Sequence, residues 1–193
     1  MSRPRIVPRL ASRLALAPLL LAGLLLAGLQ LAGPTAALGA VGVAWAQQSV
    51  GSASGLPIPR FVSLRAAEVN LRAGPGLQYP IEWVYRRPDL PVEVIDEFDN
   101  WRKLRDWEGT EGWVHSSMIQ AKRTAQVLAT GDGGPRTLRR APGTDAPAVA
   151  TLQPEALGTL VGCDKGWCQL AFGAFQGWLS QEAFFGVHPA EAQ

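Results

Sequence analysis

The chain of 193 residues holds two thiols, Cys163 and Cys168, and two imidazoles, His115 and His188. A nucleophilic thiol or hydroxyl needs a base within reach and a third group to orient that base. His115 stands beside Ser116 and Ser117, and His188 beside Pro189, but neither belongs to a motif with a catalytic acid. Asp96, Glu97, Asp99, Glu108 and Glu111 gather near turns and read as a charged, solvated rim. An acid–base pair would need opposing environments in a cleft. Two cysteines lack the further ligands that zinc requires. Gly131-Asp132-Gly133-Gly134 lacks the Lys-Ser/Thr ending of a phosphate loop. The residue types therefore predict no catalysis, no metal and no cofactor.

The spacing of the cysteines predicts a bond instead. Cys163-Asp164-Lys165-Gly166-Trp167-Cys168 puts one Cys on each side of a tight turn, where a hairpin brings Cβ atoms within disulfide reach. The remaining candidates for chemistry are aromatic. Trp101 and Trp167 each follow a turn and begin an extended segment. Alternation sets them opposite Leu104 and Leu170, which are assigned to the core. Both Trp then fall on an outer face or a rim. Tyr79, Tyr85 and Trp107 are expected to join Trp101 around one groove. Such rings offer large contact area with a polar handle. Trp113 and Trp178 directly follow Gly in a strand and are assigned to packing.

The elements that must position these residues come twice. Leu71-Arg72-Ala73-Gly74-Pro75-Gly76 is repeated as Leu138-Arg139-Arg140-Ala141-Pro142-Gly143, each followed by a Trp-x-x-Leu tetrad and a Gly-Trp pair. In the first copy, Val69–Arg72, Ile81–Tyr85, Pro91–Ile95, Trp101–Leu104 and Gly112–Val114 read as five short strands. Pro75 and Gly76 are expected to form a type II turn with Gly76 at positive φ, and Pro142 with Gly143 to do the same. Ser116 to Ile119 closes the unit as a helical turn. In the second copy, 148–152, 157–161, 167–172 and 177–179 match the later strands. Units of this size protect their edges best by curling into barrels. The first copy is assigned to residues 61–121 and the second to 125–188.

The front of the chain is of another kind. Residues 1–46 hold four of the 18 basic residues and none of the 16 acidic ones, so the remainder has no basic excess. Nucleic acid is thereby excluded as the expected partner. Four Arg, an apolar run from Leu14 to Leu31 and Ala44-Trp45-Ala46 read as an export signal cut between Ala46 and Gln47. If uncut, the run would be a membrane anchor. Residues 47–60, rich in Ser, Gly, Gln and Pro, read as a linker. The expected location is periplasmic or secreted, where a disulfide is favoured.

The pattern Leu-Arg-x-x-Pro-Gly, Trp-x-x-Leu and Gly-Trp-Val or Gly-Trp-Leu resembles the bacterial SH3-like domain family. Val69–Gly76 and Glu111-Gly112-Trp113-Val114 carry the likeness most fully. The second copy departs from it, with Arg136-Thr137 in place of Val-Asn and Gln176 in the place of Glu111. The resemblance implies small five-stranded barrels, so the expected protein is all-β, two tandem SH3-like barrels after the signal helix read above. It also implies a non-catalytic module that binds wall (peptidoglycan) peptide or glycan, or an envelope protein. Two rival readings are a cysteine-type wall hydrolase using Cys168 and His188, and a structural spacer of the envelope.

Overall fold

The computed structural model describes residues 49–131 and 133–192; the export segment read over 1–46 lies outside them. A short hairpin comes first, β1 (Ser49–Val50) with β2 (Pro57–Ile58). The first repeat follows as β3 (Arg60–Leu64), β4 (Val69–Arg72), β5 (Ile81–Tyr85), β6 (Pro91–Phe98), β7 (Trp101–Arg105), β8 (Glu111–His115) and β9 (Ile119–Gln120). The second comprises β10 (Thr124–Val127), β11 (Arg136–Arg139), β12 (Ala148–Leu152), β13 (Leu157–Asp164), β14 (Trp167–Phe172), β15 (Phe175–Ser180) and β16 (Phe184–Phe185). The sheet orders are β5-β4-β8-β7-β6-β3-β9 and β12-β11-β15-β14-β13-β10-β16, which are the same topology. The protein is all-β and tandem, as expected, but each unit is a seven-stranded sheet whose end strands do not pair, rather than a closed five-stranded barrel. The extra strands are β3 and β9, and β10 and β16.

Each repeat has its own core. Leu64, Leu71, Val92, Val94, Leu104 and Val114 are fully buried in the first, and Ala125, Leu138, Cys168 and Leu170 in the second. The shared motif builds both in the same way. Leu71 and Leu138 enter the cores, while Arg72 Nη1 donates to the Tyr79 carbonyl at 2.8 Å and Arg139 Nη1 to the Ala146 carbonyl at 2.7 Å. Each Arg thus holds the far side of the loop that its own strand opens. A Cβ on Gly112 would meet Leu71 Cγ at 2.5 Å, and one on Gly177 would meet the Arg139 carbonyl oxygen at 2.5 Å. The Gly of each Gly-Trp pair is therefore required by the close approach of two strands.

The expected turn at Gly76 is different. Gly143 takes positive φ, at 118°, but Gly76 does not. The first copy needs glycine for room instead: the Tyr79 ring lies where a Cβ of Gly74 would stand, 2.5 Å from it. Arg136, which makes the second copy depart from the motif, still opens strand β11. Its guanidinium donates to the Leu128 and Ala129 carbonyls at 3.0 and 2.8 Å. Ser116–Met118 is a 3₁₀ turn, as expected, with His115 Nδ1 accepting from Ser117 N. Cys163 and Cys168 are cross-strand partners and form the disulfide. Lys165 and Gly166 both have positive φ, as a two-residue type I′ hairpin turn demands.

The stretch read as a linker is instead folded onto the first repeat. The carboxylate of Glu97, at the end of β6, has no solvent exposure. It accepts from Ser54 N and Ser54 Oγ at 2.7 Å each, Ala53 N at 3.1 Å and Arg60 Nη2 at 2.8 Å. Arg102 Nε lies 3.3 Å away. Burial pushes the Glu97 pKa up, but the bonds from Ser54, Arg60 and Ala53 outweigh it and bring the group down to about 2.

A seam joins the repeats. Thr124 Oγ1 donates to the Asp89 carbonyl at 2.8 Å, Lys122 Nζ to Asp89 Oδ2 at 2.8 Å and Arg87 Nη1 to the Glu155 carbonyl at 2.9 Å. Phe61 meets Phe185 edge-on at 5.0 Å between centroids and His188 at 4.6 Å.

Candidate functional site

Trp101 begins β7 one residue after the turn at Asp99-Asn100, where Asp99 takes φ 48°. Its strand partner is His115, and the two rings meet edge to face at 5.6 Å. Leu104 points the other way and is fully buried, so Trp101 is left half-buried at the rim. It lines a groove of about 230 Å³ with Glu68, Asn70 and Arg72 on one side. Leu77, His115 and Met118 complete the lining. Trp167 holds the same place in the second repeat. It is half-buried, pairs with Ser180 and lines a groove of about 250 Å³ with Thr137, Arg139, Thr144 and Ala183.

The two grooves are built from corresponding positions. Asn70 and Thr137, Arg72 and Arg139, Leu77 and Thr144, Trp101 and Trp167, and His115 and Ser180 stand at matching points of the two sheets. Their walls differ in charge. The first has Glu68 where the second has Pro135, and Arg136 lines only the second. The arginine is held to its loop carbonyls in both, which keeps the groove wall in place.

The other aromatics of the expected cluster do not converge on Trp101. Tyr85 is a correction: it is 3% exposed, and its hydroxyl donates to Asp106 Oδ2 at 2.9 Å. Burial foremost, and then the Asp106 carboxylate, push its pKa well above the usual phenol range. Trp83 and Tyr85 pair with Leu71 and Val69 and share one side of β5, yet Trp83 is exposed and Tyr85 buried, while a register shift at Glu82 sets Ile81 opposite Arg72. Trp107 packs half-buried against the first core. Tyr79 is 40% exposed on the loop over Gly74, next to but outside the groove lining. Trp83, which alternation had placed in a strand without a role, is 54% exposed. Trp113 and Trp178 are half-buried on strands β8 and β15.

The hydrolase arrangement of Cys168 and His188 is not formed. Cys168 is fully buried and bonded to Cys163. His188 packs on Phe61, with Nδ1 3.6 Å from Glu93 Oε1. Among the described residues no cluster of His, Cys, Asp or Glu is placed to hold a metal.

Residues 65–120 and 133–186 match the bacterial SH3 domain family, the two segments falling on the two sheets. The chain belongs to the bacterial SH3 domain family. The chain is 26% identical over 140 residues to a protein of Bacillus subtilis (strain 168) named "Putative N-acetylmuramoyl-L-alanine amidase YrvJ". That match takes in 64% of this chain and 27% of the relative, so the chain spans about a quarter of that protein's length. Two solved structures are also similar, NlpC2 and NlpC1 from Trichomonas vaginalis, at 10% and 11% identity and a TM-score of 0.31 each. They cover 67% and 72% of this chain, and 48% and 49% of their own lengths are matched.

Proposed function

We propose that this bacterial SH3 protein is an exported, non-catalytic binding module that docks peptidoglycan through the Trp101 and Trp167 grooves. The observation that carries the reading is the recurrence of one groove at corresponding positions of two sheets, each with a Trp at the rim and a clamped Arg in the wall. Sequence drift between the copies has changed most surface positions, yet both grooves keep these two residues. Half-buried Trp rings are typical anchors of binding surfaces. The relative carries the name "Putative N-acetylmuramoyl-L-alanine amidase YrvJ", and a wall-binding role for a segment shared with it fits that name. The sequence of residues 1–46 supports a location outside the cytoplasm, periplasmic or secreted.

Co-sedimentation with purified insoluble peptidoglycan tests this. Trp101→Ala and Trp167→Ala should each lower the bound fraction, and the double variant should remain in the supernatant. Wild-type recovery of the folded double variant in the pellet would refute the grooves as the binding sites.

A further inference from the structure

The duplication supplies an internal control for the second groove. Register sets Arg136 opposite Leu152 and Leu138 opposite Ala150, as Val69 stands opposite Tyr85 and Leu71 opposite Trp83. Arg136 therefore occupies the place that the first repeat gives to Val69, which is 1% exposed and part of the first core. An arginine at a core-facing strand position is costly unless a carboxylate pairs with it. Among the described residues, the partners of Arg136 are carbonyls alone: Nε donates to Leu128 and Nη2 to Ala129. Those bonds occupy donors and leave the charge uncompensated. The first sheet shows that valine serves the fold at this point, so stability does not account for the arginine.

What Arg136 does is line the Trp167 groove. It enters from the core side of β11, and Thr137 and Arg139 enter from the outer side. Arg139 gives Nη1 to the Ala146 carbonyl, which leaves Nε and Nη2, an edge that can grip a carboxylate with two bonds. Among the described residues no carboxylate lines this groove. Glu182, which accepts from Ser180 Oγ at 3.3 Å, is exposed and lies outside the lining. The Trp101 groove differs, with Glu68 at the place of Pro135 and Arg72 as its one arginine. The remaining walls of the Trp167 groove are the Trp ring, the core residues Leu179 and Ala183, and the hydroxyls of Thr137, Thr144 and Ser180. Cations beside an apolar wall suit an anion carried on a small apolar body, as at the end of a peptide. A phosphate on a polyol chain matches the charge but not the wall.

We infer that the Trp167 groove holds the terminal carboxylate of a wall peptide, with Arg136 as its counter-charge, while the Trp101 groove, which carries Glu68, does not select for one. The inference rests on the wall-binding reading above for the source of the peptide.

The test is a calorimetric titration of the full chain with N-acetyl-D-alanyl-D-alanine and with its carboxamide. Wild type should bind the acid about tenfold or more tightly than the amide, the scale of a hydrogen bond to a charged group. Arg136→Val installs the residue of the first repeat. It should abolish the preference and hold or raise the thermal midpoint. An arginine kept for structure would instead lower the midpoint on replacement and leave the preference in place. Pro135→Glu copies Glu68 and leaves the arginine present. It should also remove the preference, and it reads the same site should Arg136→Val misfold. Equal binding of acid and amide by wild type, or binding of neither, overturns the inference. So does inorganic phosphate that displaces the acid at equal concentration, which would make this a phosphate site. In co-sedimentation, loss of wall by Trp167→Ala with full retention by both Arg136→Val and Pro135→Glu removes the carboxylate assignment alone. Acid preference in wild type, with wall retained by the double Trp variant, removes the wall-binding reading and leaves the carboxylate site.

Discussion

Glu97 offers the sharpest test of how the leader is held. Replacing it by Gln keeps the volume but removes the charge that faces Arg60 and Arg102, whose side chains are 17% and 11% exposed. Breaking a buried ion pair by deleting one partner costs about 3–5 kcal/mol. Gln retains one acceptor oxygen for Ser54, so about 2–4 kcal/mol is expected here. The pH dependence follows separately. A carboxyl lowered from 4.5 to about 2 stabilises the fold above the unfolded value. That contribution is lost as pH falls from about 4.5 through about 2. The full shift would correspond to about 3 kcal/mol, and solvent screening at the edge of the clamp reduces it to about 1–2 kcal/mol. In urea denaturation at pH 7 and at steps down to pH 2, wild type should lose more stability with acid than Glu97→Gln, the difference opening below pH 4.5. Hydrogen exchange should show the Ala53 and Ser54 amides protected in wild type and released in the variant. Parallel acid profiles, or unchanged protection of those two amides, would refute the clamp.

Other perturbations follow from the same structure. Reduction of Cys163–Cys168, or its replacement by two alanines, should destabilise the second repeat by about 2 kcal/mol for so short a loop. Thiol labelling of the unreduced protein should find nothing, and a labelled Cys168 would contradict the bond. Gly177→Ala should cost about 2–3 kcal/mol in thermal unfolding. Gly112→Ala should cost less, because its new methyl meets the movable Leu71 side chain first rather than a backbone oxygen. Tyr85→Phe should cost about 1–2 kcal/mol, because Asp106 Oδ2 loses its donor while Oδ1 keeps the Glu108 and Thr110 amides, and should leave wall co-sedimentation unchanged. Loss of binding by folded Tyr85→Phe would return this ring to the site.

Much of this architecture is written in local signals. The repeated Leu-Arg-x-x-Pro-Gly, the Trp-x-x-Leu tetrads and the Gly-Trp pairs mark β4, β7 and β8 and their counterparts. The Asp-Lys-Gly turn marks the disulfide. Strands β3 and β10 escaped because they show no alternation: nearly every residue of Arg60–Leu64 and all of Thr124–Val127 are buried. Both lie at the seam, where one face meets its own core and the other faces the neighbouring repeat. The Ser- and Gly-rich leader resembles a tether until a buried carboxylate from forty residues on is seen to gather its amides. At the site, Trp101 and Trp167 could be placed from alternation with Leu104 and Leu170. Tyr85 could not, because period two tells which side a ring faces and not whether the strand still overlies the core at that point.

The seam has a consequence for how the protein would measure its target. Only Ala121 to Arg123 separate β9 from β10, and Asp89, Phe61 and Arg87 tie down either side of that short passage. Two sites on a slack cord tolerate any separation in the target, with a gain that fades smoothly as the cord lengthens. Two sites on one stiff body act as calipers. Receptors in a lattice at the matching pitch would be gripped by both jaws, and those at another pitch by one, so the spacing of the target becomes part of what is recognised.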